Sequence, residues 1–130
     1  MANVTQFPNV SDATLEAVTE AMAGIHERYY GRKPRSAHTQ VMSDDMLACL
    51  FGGVYTDVEK TLIELQRQPL VHESRTAFQQ AMEHRFTSEV ERITGREVDK
   101  FISGHHVGPD LGLLLFMLAP VQGAEGVVPS

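Results

Sequence analysis

The sequence predicts an α+β fold in which a four-stranded antiparallel sheet carries its helices on one face. Three observations predict it. The periodicities run in the order helix, hairpin, two helices, hairpin, and helices alternating with antiparallel hairpins build a two-layer structure. Two strand-length runs, residues 46–51 and 113–119, are apolar at successive positions, so they belong to the interior of a sheet. The first helix is apolar along one stripe only, as a helix covering a core is. With 130 residues, 42% of them hydrophobic, the chain is one domain with enough apolar side chains for a core. Residues 1–10 read as a loose leader, 11–120 as the domain and 121–130, rich in Gly, Pro and small residues, as a flexible tail.

Each element has its own signals. Ser11 or Asp12 can cap the first helix by accepting a bond from a free backbone N–H. Leu15, Val18, Met22, Ile25 and Tyr29 then recur at 3-4-3-4 spacing. This stripe suits a core face, and its heptad rhythm equally suits a helix seam between two chains, so these five residues are the expected dimer contacts. Gly31 ends the helix in a left-handed cap, and Pro34 prevents its resumption and turns the chain into a strand over residues 37–42. Ser43-Asp44-Asp45 supplies the hairpin turn, residues 46–51 the more central strand, and Gly52-Gly53 closes the pair. Thr56 and Glu59 fit a capping box, and Val58, Leu62 and Leu65 give that helix an apolar side. Pro69 opens one long helix to Thr94, with the stripe Val71, Phe78, Met82, Phe86, Val90 and Ile93, closed by Gly95. A strand over residues 98–107, a turn-rich loop over 108–112 and the apolar strand 113–119 complete the sheet. A strand so apolar on both sides needs cover on both, which a homodimer would supply.

Composition excludes several classes. The net charge of −6 argues against general nucleic-acid binding, and Arg32-Lys33-Pro34-Arg35, the one basic run, reads as a solvated loop. The single cysteine, Cys49, cannot form an intrachain disulfide and lies in an apolar run as a small hydrophobe. The N-terminal residues lack the pattern of a signal peptide, and no apolar run reaches the about 18 residues of a membrane span, so a cytoplasmic protein without membrane insertion is expected. His105-His106 with Asp110 is the cluster nearest to a metal site. Adjacent strand residues point to opposite faces, however, so the two imidazoles do not share an ion, and neither metal nor cofactor is expected. His72-Glu73 and Glu83-His84 lack a His-Glu-x-x-His pattern and read as helix surface; Asp44 and Asp45 read as turn residues; Gly52-Gly53 lacks a phosphate-loop pattern. No catalytic residue is assigned.

Several segments together resemble a known family. Tyr30-Gly31-Arg32-Lys33-Pro34 is similar to the "xGRGP" turn of the bacterial MpsC-like family. The acidic turn Asp44-Asp45, the strand 46–50, Gly53-Val54-Tyr55-Thr56 as a "G-x-x-T" lead into a helix, and Ile93-Thr94-Gly95-Arg96-Glu97-Val98 as "I-T-G-x-x-V" follow in the family's order. His105 precedes the apolar last strand as in the family. Lys33 departs from the family's frequent glycine, and the loop 108–112 is more apolar than in many relatives. The resemblance covers residues 12–119 or so. It implies a small cytosolic protein associated with inorganic-carbon or cation uptake, and no catalytic mechanism. The expected function is therefore a non-enzymatic accessory or regulatory protein, dimeric, with a membrane transporter or its soluble subunit as partner. Two alternatives stay open. One is a small-anion or nucleotide sensor using Arg32, Lys33, His105 and His106. The other is a metal-dependent enzyme resting on His105, His106 and Asp110.

Overall fold

The computed structural model describes residues 10–120. The expected tail, and all of the expected leader but Val10, lie outside the described residues; Val10 itself joins the core. The chain order is α1 (Asp12–Tyr30), β1 (Ser36–Ser43), β2 (Met46–Gly52), α2 (Asp57–Glu64), α3 (Gln68–Ala81), α4 (Glu83–Thr94), β3 (Val98–His106) and β4 (Leu111–Leu118). The four strands form one antiparallel sheet in the order β1-β2-β4-β3, so the two apolar strands are central, as their composition requires.

The helix ends form by the expected chemistry. Ser11 Oγ accepts from Thr14 N–H at the start of α1. Gly31 and Gly95 close α1 and α4 in left-handed geometry, and each donates its N–H four residues back. Thr56 and Glu59 form a reciprocal capping box at α2.

The register divides the sheet into two faces. Leu47, Cys49, Phe51, Leu114, Phe116 and Phe101 point to one side, where they meet the stripe of α1 and the apolar sides of α3 and α4. Thr19 of α1 and the buried Thr39 of β1 share a hydroxyl bond of 2.7 Å across this layer. Met46, Ala48, Leu50, Leu111, Leu113, Leu115, Met117 and Ile102 point to the other side. None of those eight is buried, so nothing among the described residues covers that face.

Three expectations change. The stripe of α1 is the helix's core face: Val18, Met22 and Ile25 are buried inside the chain, Leu15 packs at the edge of the core, and Tyr29 is 44% exposed. Burial against the chain's own sheet leaves the middle of that stripe no surface for a seam with a second chain. The long helix is two, α3 and α4, meeting at Met82, which ends one and starts the other. No Pro or Gly marks the bend, and the apolar stripe continues through it in phase, so periodicity does not report it. Finally, α2 is rotated from its expected setting: of its expected apolar side Leu62 packs against the core, but Val58 is 71% and Leu65 64% exposed, while Glu59 is buried.

Candidate functional site

The loop 53–56 between β2 and α2 gathers most of the interior's polar groups. Asp110, in the turn just before β4, reaches across with its carboxylate and accepts from Val54 N–H at 2.8 Å and Tyr55 N–H at 3.3 Å. Its own carbonyl accepts from Gly53 N–H at 3.1 Å. Arg32, just after α1, donates from Nη1 to the Tyr55 carbonyl at 2.7 Å. Three backbone groups of a buried turn are thereby satisfied by side chains from two distant segments, as burial of such groups demands.

At the centre lies Arg75 of α3, 4% exposed. Its Nε donates to Glu59 Oε2 at 2.7 Å, and its Nη2 donates to Glu59 Oε1 at 2.6 Å and to the Val54 carbonyl at 2.8 Å. The guanidinium carbon sits 3.7 Å from the centre of the Tyr30 ring, a cation–π contact in a desolvated setting. Nη1 lies 3.3 Å from His26 Nε2. A guanidinium only donates, so that imidazole nitrogen is the acceptor, and the proton sits on Nδ1, which donates to the Arg32 carbonyl at 2.7 Å. His26 is thus neutral. Burial, reinforced by the charges of Arg75 and Arg32, holds it below its ordinary range. Burial alone would raise the Glu59 carboxyl. The bonds from Arg75 and from the Thr56 backbone N–H overcome burial and hold it below the usual carboxylate range.

The network reaches the surface through Tyr55 and His105. The Tyr55 hydroxyl lies 3.0 Å from His105 Nδ1 and donates to the His106 carbonyl at 3.3 Å. Burial pushes the tyrosine up to about 12. His105 faces the helices, its ring 4.6 Å from that of His72, centre to centre. Its Nε2 is buried and has no hydrogen-bond partner among the described residues. Burial, then the neighbouring His72 and Arg75, lowers its affinity for a proton. An open groove lined by His72, Gln79, Glu83, Ser103 and His105 leads to this point from outside. Inside, a cavity of about 30 Å³ touches His26, Tyr30, Arg75 and His105, room for about one water molecule.

The residues singled out in the sequence are therefore dispersed. Arg32 and His105 both meet Tyr55, on its carbonyl and its hydroxyl. His106 lies on the opposite face of the sheet from His105, and Lys33 is exposed. Asp110 is engaged by backbone amides. Among the described residues no group of three or more His, Cys, Asp or Glu side chains is placed to hold a metal ion. Of the residues that organise the site, Arg75 and His26 carry no role in the sequence analysis, Glu59 stands there only as a helix cap and Tyr55 only as part of a motif. One signal was there: Arg75 falls on the buried stripe between Val71 and Phe78, where a lone arginine implies an interior partner.

The sequence model of a family described as "Na+-translocating membrane potential-generating system (MpsC)" matches residues 12–119. The chain belongs to the MpsC family. No curated protein and no solved structure matches it. Two of the motifs that carry the MpsC resemblance meet at one contact, because Arg32 of the "xGRGP" turn holds the Tyr55 carbonyl of the "G-x-x-T" segment. A third, Arg96 of "I-T-G-x-x-V", pairs with Asp45 of the acidic turn and donates to the Ala119 carbonyl at 2.8 Å. In this MpsC protein the motifs act as fasteners between segments distant in sequence. No helix among the described residues is long and apolar enough to cross a membrane.

Proposed function

We propose that this MpsC protein is a non-enzymatic accessory subunit of a membrane cation-transport or inorganic-carbon uptake system. It acts as a homodimer and through protein contacts, with a transporter or its soluble subunit as partner. One observation carries the reading. The buried charges are matched to one another or to backbone groups, while large apolar side chains stand in solvent. Arg75 and Glu59 neutralise each other, and Asp110 and Arg32 hold a turn. Val58, Leu65 and Leu70 are exposed along α2 and α3, and Leu50 and Ile102 on the open sheet face. Exposed apolar surface on a folded chain marks a place where another molecule docks. The family description, a sodium-translocating system, supports a transporter as the molecule that meets Val58, Leu65 and Leu70.

The test is uptake in cells that lack the protein. Sodium-dependent accumulation of labelled sodium or bicarbonate falls on deletion and returns with the wild-type chain, but not with Val58→Lys/Leu65→Lys. Unchanged uptake after deletion, or full rescue by the surface variant, would overturn the reading.

The unpaired Nε2 of His105 favours a second reading, a small-anion sensor at the His72–His105 groove; with Nδ1–H turned to the Tyr55 hydroxyl, Nε2 is an acceptor and selects an anion that carries an O–H to donate, as bicarbonate and hydrogen phosphate do. Thermal shift against bicarbonate, phosphate and nucleotides decides it. A ligand that binds only the folded state raises the Tm, and His105→Ala abolishes the rise; a flat panel removes this reading.

A further inference from the structure

We infer that the open face of the sheet is the surface on which a second copy of this chain docks, face to face, about a twofold axis over β2 and β4. The inference rests on the homodimer in the proposed function and assigns its surface.

The face is built from eight apolar side chains in adjacent register: Met46, Ala48 and Leu50 of β2, Leu111, Leu113, Leu115 and Met117 of β4, and Ile102 of β3. Leu50 is 46% and Ile102 50% exposed. An antiparallel sheet with one solvated face normally alternates apolar and polar residues. Here β2 and β4 do not alternate, so their outward positions carry the composition of a second core.

Charge selects the occupant. The chain holds 17 Asp and Glu and a net charge of −6, so two copies repel over most of their surface. Yet among the described residues no carboxylate occupies a register position on this face; Asp99 sits in the bulge between Val98 and Lys100, out of register. The polar side chains of the face in the described strands, Ser36, His38, Gln40, Ser43, Lys100 and His106, all lie on the edge strands β1 and β3. This is an apolar centre with a polar, non-acidic rim, the anatomy of a protein interface. It is also self-complementary. A twofold axis over the two central strands lays apolar centre on apolar centre and edge on edge, as an isologous contact requires.

Size agrees. Four strands about 4.8 Å apart and about seven residues long, at about 3.3 Å each, cover about 450 Å² in plan. Two copies lose about 900 Å² in plan alone, and side-chain relief and the rim carry the total beyond the about 1,000 Å² of a specific interface. Two twisted sheets pack in this way about 10 Å apart with strands offset by about 30°.

The experiment is sedimentation equilibrium of the full chain from 1 to 200 µM, with far-UV circular dichroism. The wild type should be a dimer. Leu50→Lys/Ile102→Lys should keep its fold, because both side chains are already half in solvent, and should raise the dimer Kd by about a hundredfold or more, each substitution counting twice across the axis. Val58→Lys, on α2, should leave the dimer intact. A wild type that stays monomeric to 200 µM overturns the inference, as does a dimer indifferent to Leu50→Lys/Ile102→Lys. A monomer that associates only after removal of residues 1–9 or 121–130 also overturns it, by assigning the face to the chain's own terminus. None of these outcomes depends on a transporter, so failure here and failure of the accessory reading are separate results.

Discussion

Replacing Arg75 by methionine removes both bonds that neutralise Glu59, the bond to the Val54 carbonyl and the contact with His26 Nε2, and leaves a carboxylate facing an apolar interior. Glu59 keeps the Thr56 N–H at 2.8 Å and the Thr56 hydroxyl at 3.2 Å, so it is not wholly stripped of partners. It can also escape by taking a proton. From its ordinary value of 4.5 that costs about 3.4 kcal/mol at pH 7, which caps the penalty of the stranded charge. The orphaned Val54 carbonyl adds about 1 kcal/mol. Arg75→Met should therefore lose about 3–5 kcal/mol at pH 7, the range for breaking a buried pair. Urea unfolding followed by circular dichroism measures it. The deficit should shrink to about 1–2 kcal/mol at pH 5, because the escape is then only about half a pH unit uphill. Glu59→Gln strands Arg75 instead, and the double variant should lose about 2 kcal/mol less than the sum of the singles. A deficit under about 1 kcal/mol, or one indifferent to pH, would refute the view that this pair anchors the interior.

Further outcomes follow from the same geometry. The folded state holds His26 and His105 below the ordinary histidine value of 6.5, so the unfolded chain binds protons first as the pH falls. Their stabilisation is complete above pH 6.5 and is lost on acidification below it. The Tm should thus drop between pH 7.5 and 5.5, and His26→Gln should flatten part of that slope; a Tm rising with acid would contradict the assignment. Burial pushes the Cys49 thiol up to about 11, so a thiol reagent at pH 8 should modify it only as fast as the chain opens, and rapid labelling of native protein would count against a closed core. Asp110→Ala should cost about 2 kcal/mol in urea unfolding, because it leaves the Val54 and Tyr55 amides without their acceptor, and a neutral effect would mean that water replaces it without loss.

The sheet and its helix ends were legible in the sequence because they follow from local chemistry. Gly31, Gly95 and the Thr56–Glu59 box act within one turn of their own positions, and the two-sided apolar strands declare themselves central by composition. The polar interior was not legible, because its partners are far apart in the chain. Arg75 finds Glu59 sixteen residues away and His26 forty-nine away, and nothing in a hydrophobic period announces either. The same pair explains the misread helix. Periodicity assigns α2 its buried side by Val58, Leu62 and Leu65, but the ion pair draws Glu59 inward and turns Val58 and Leu65 out. The stripe of α1 was ambiguous for a different reason, since one heptad pattern serves a sheet or a second helix, and only the sheet's register distinguishes them. His105 and His106 divided between the faces as strand alternation requires.

Capture of partners from membranes tests the central claim most directly. The tagged wild-type chain, expressed at its native level, is recovered from membranes opened with mild detergent at low salt, in parallel with Val58→Lys/Leu65→Lys, and the bound proteins are identified by mass spectrometry. The account predicts an integral-membrane transport protein that co-purifies with the wild type and is lost with the variant. Recovery of the chain alone, or of the same proteins with both forms, would contradict it.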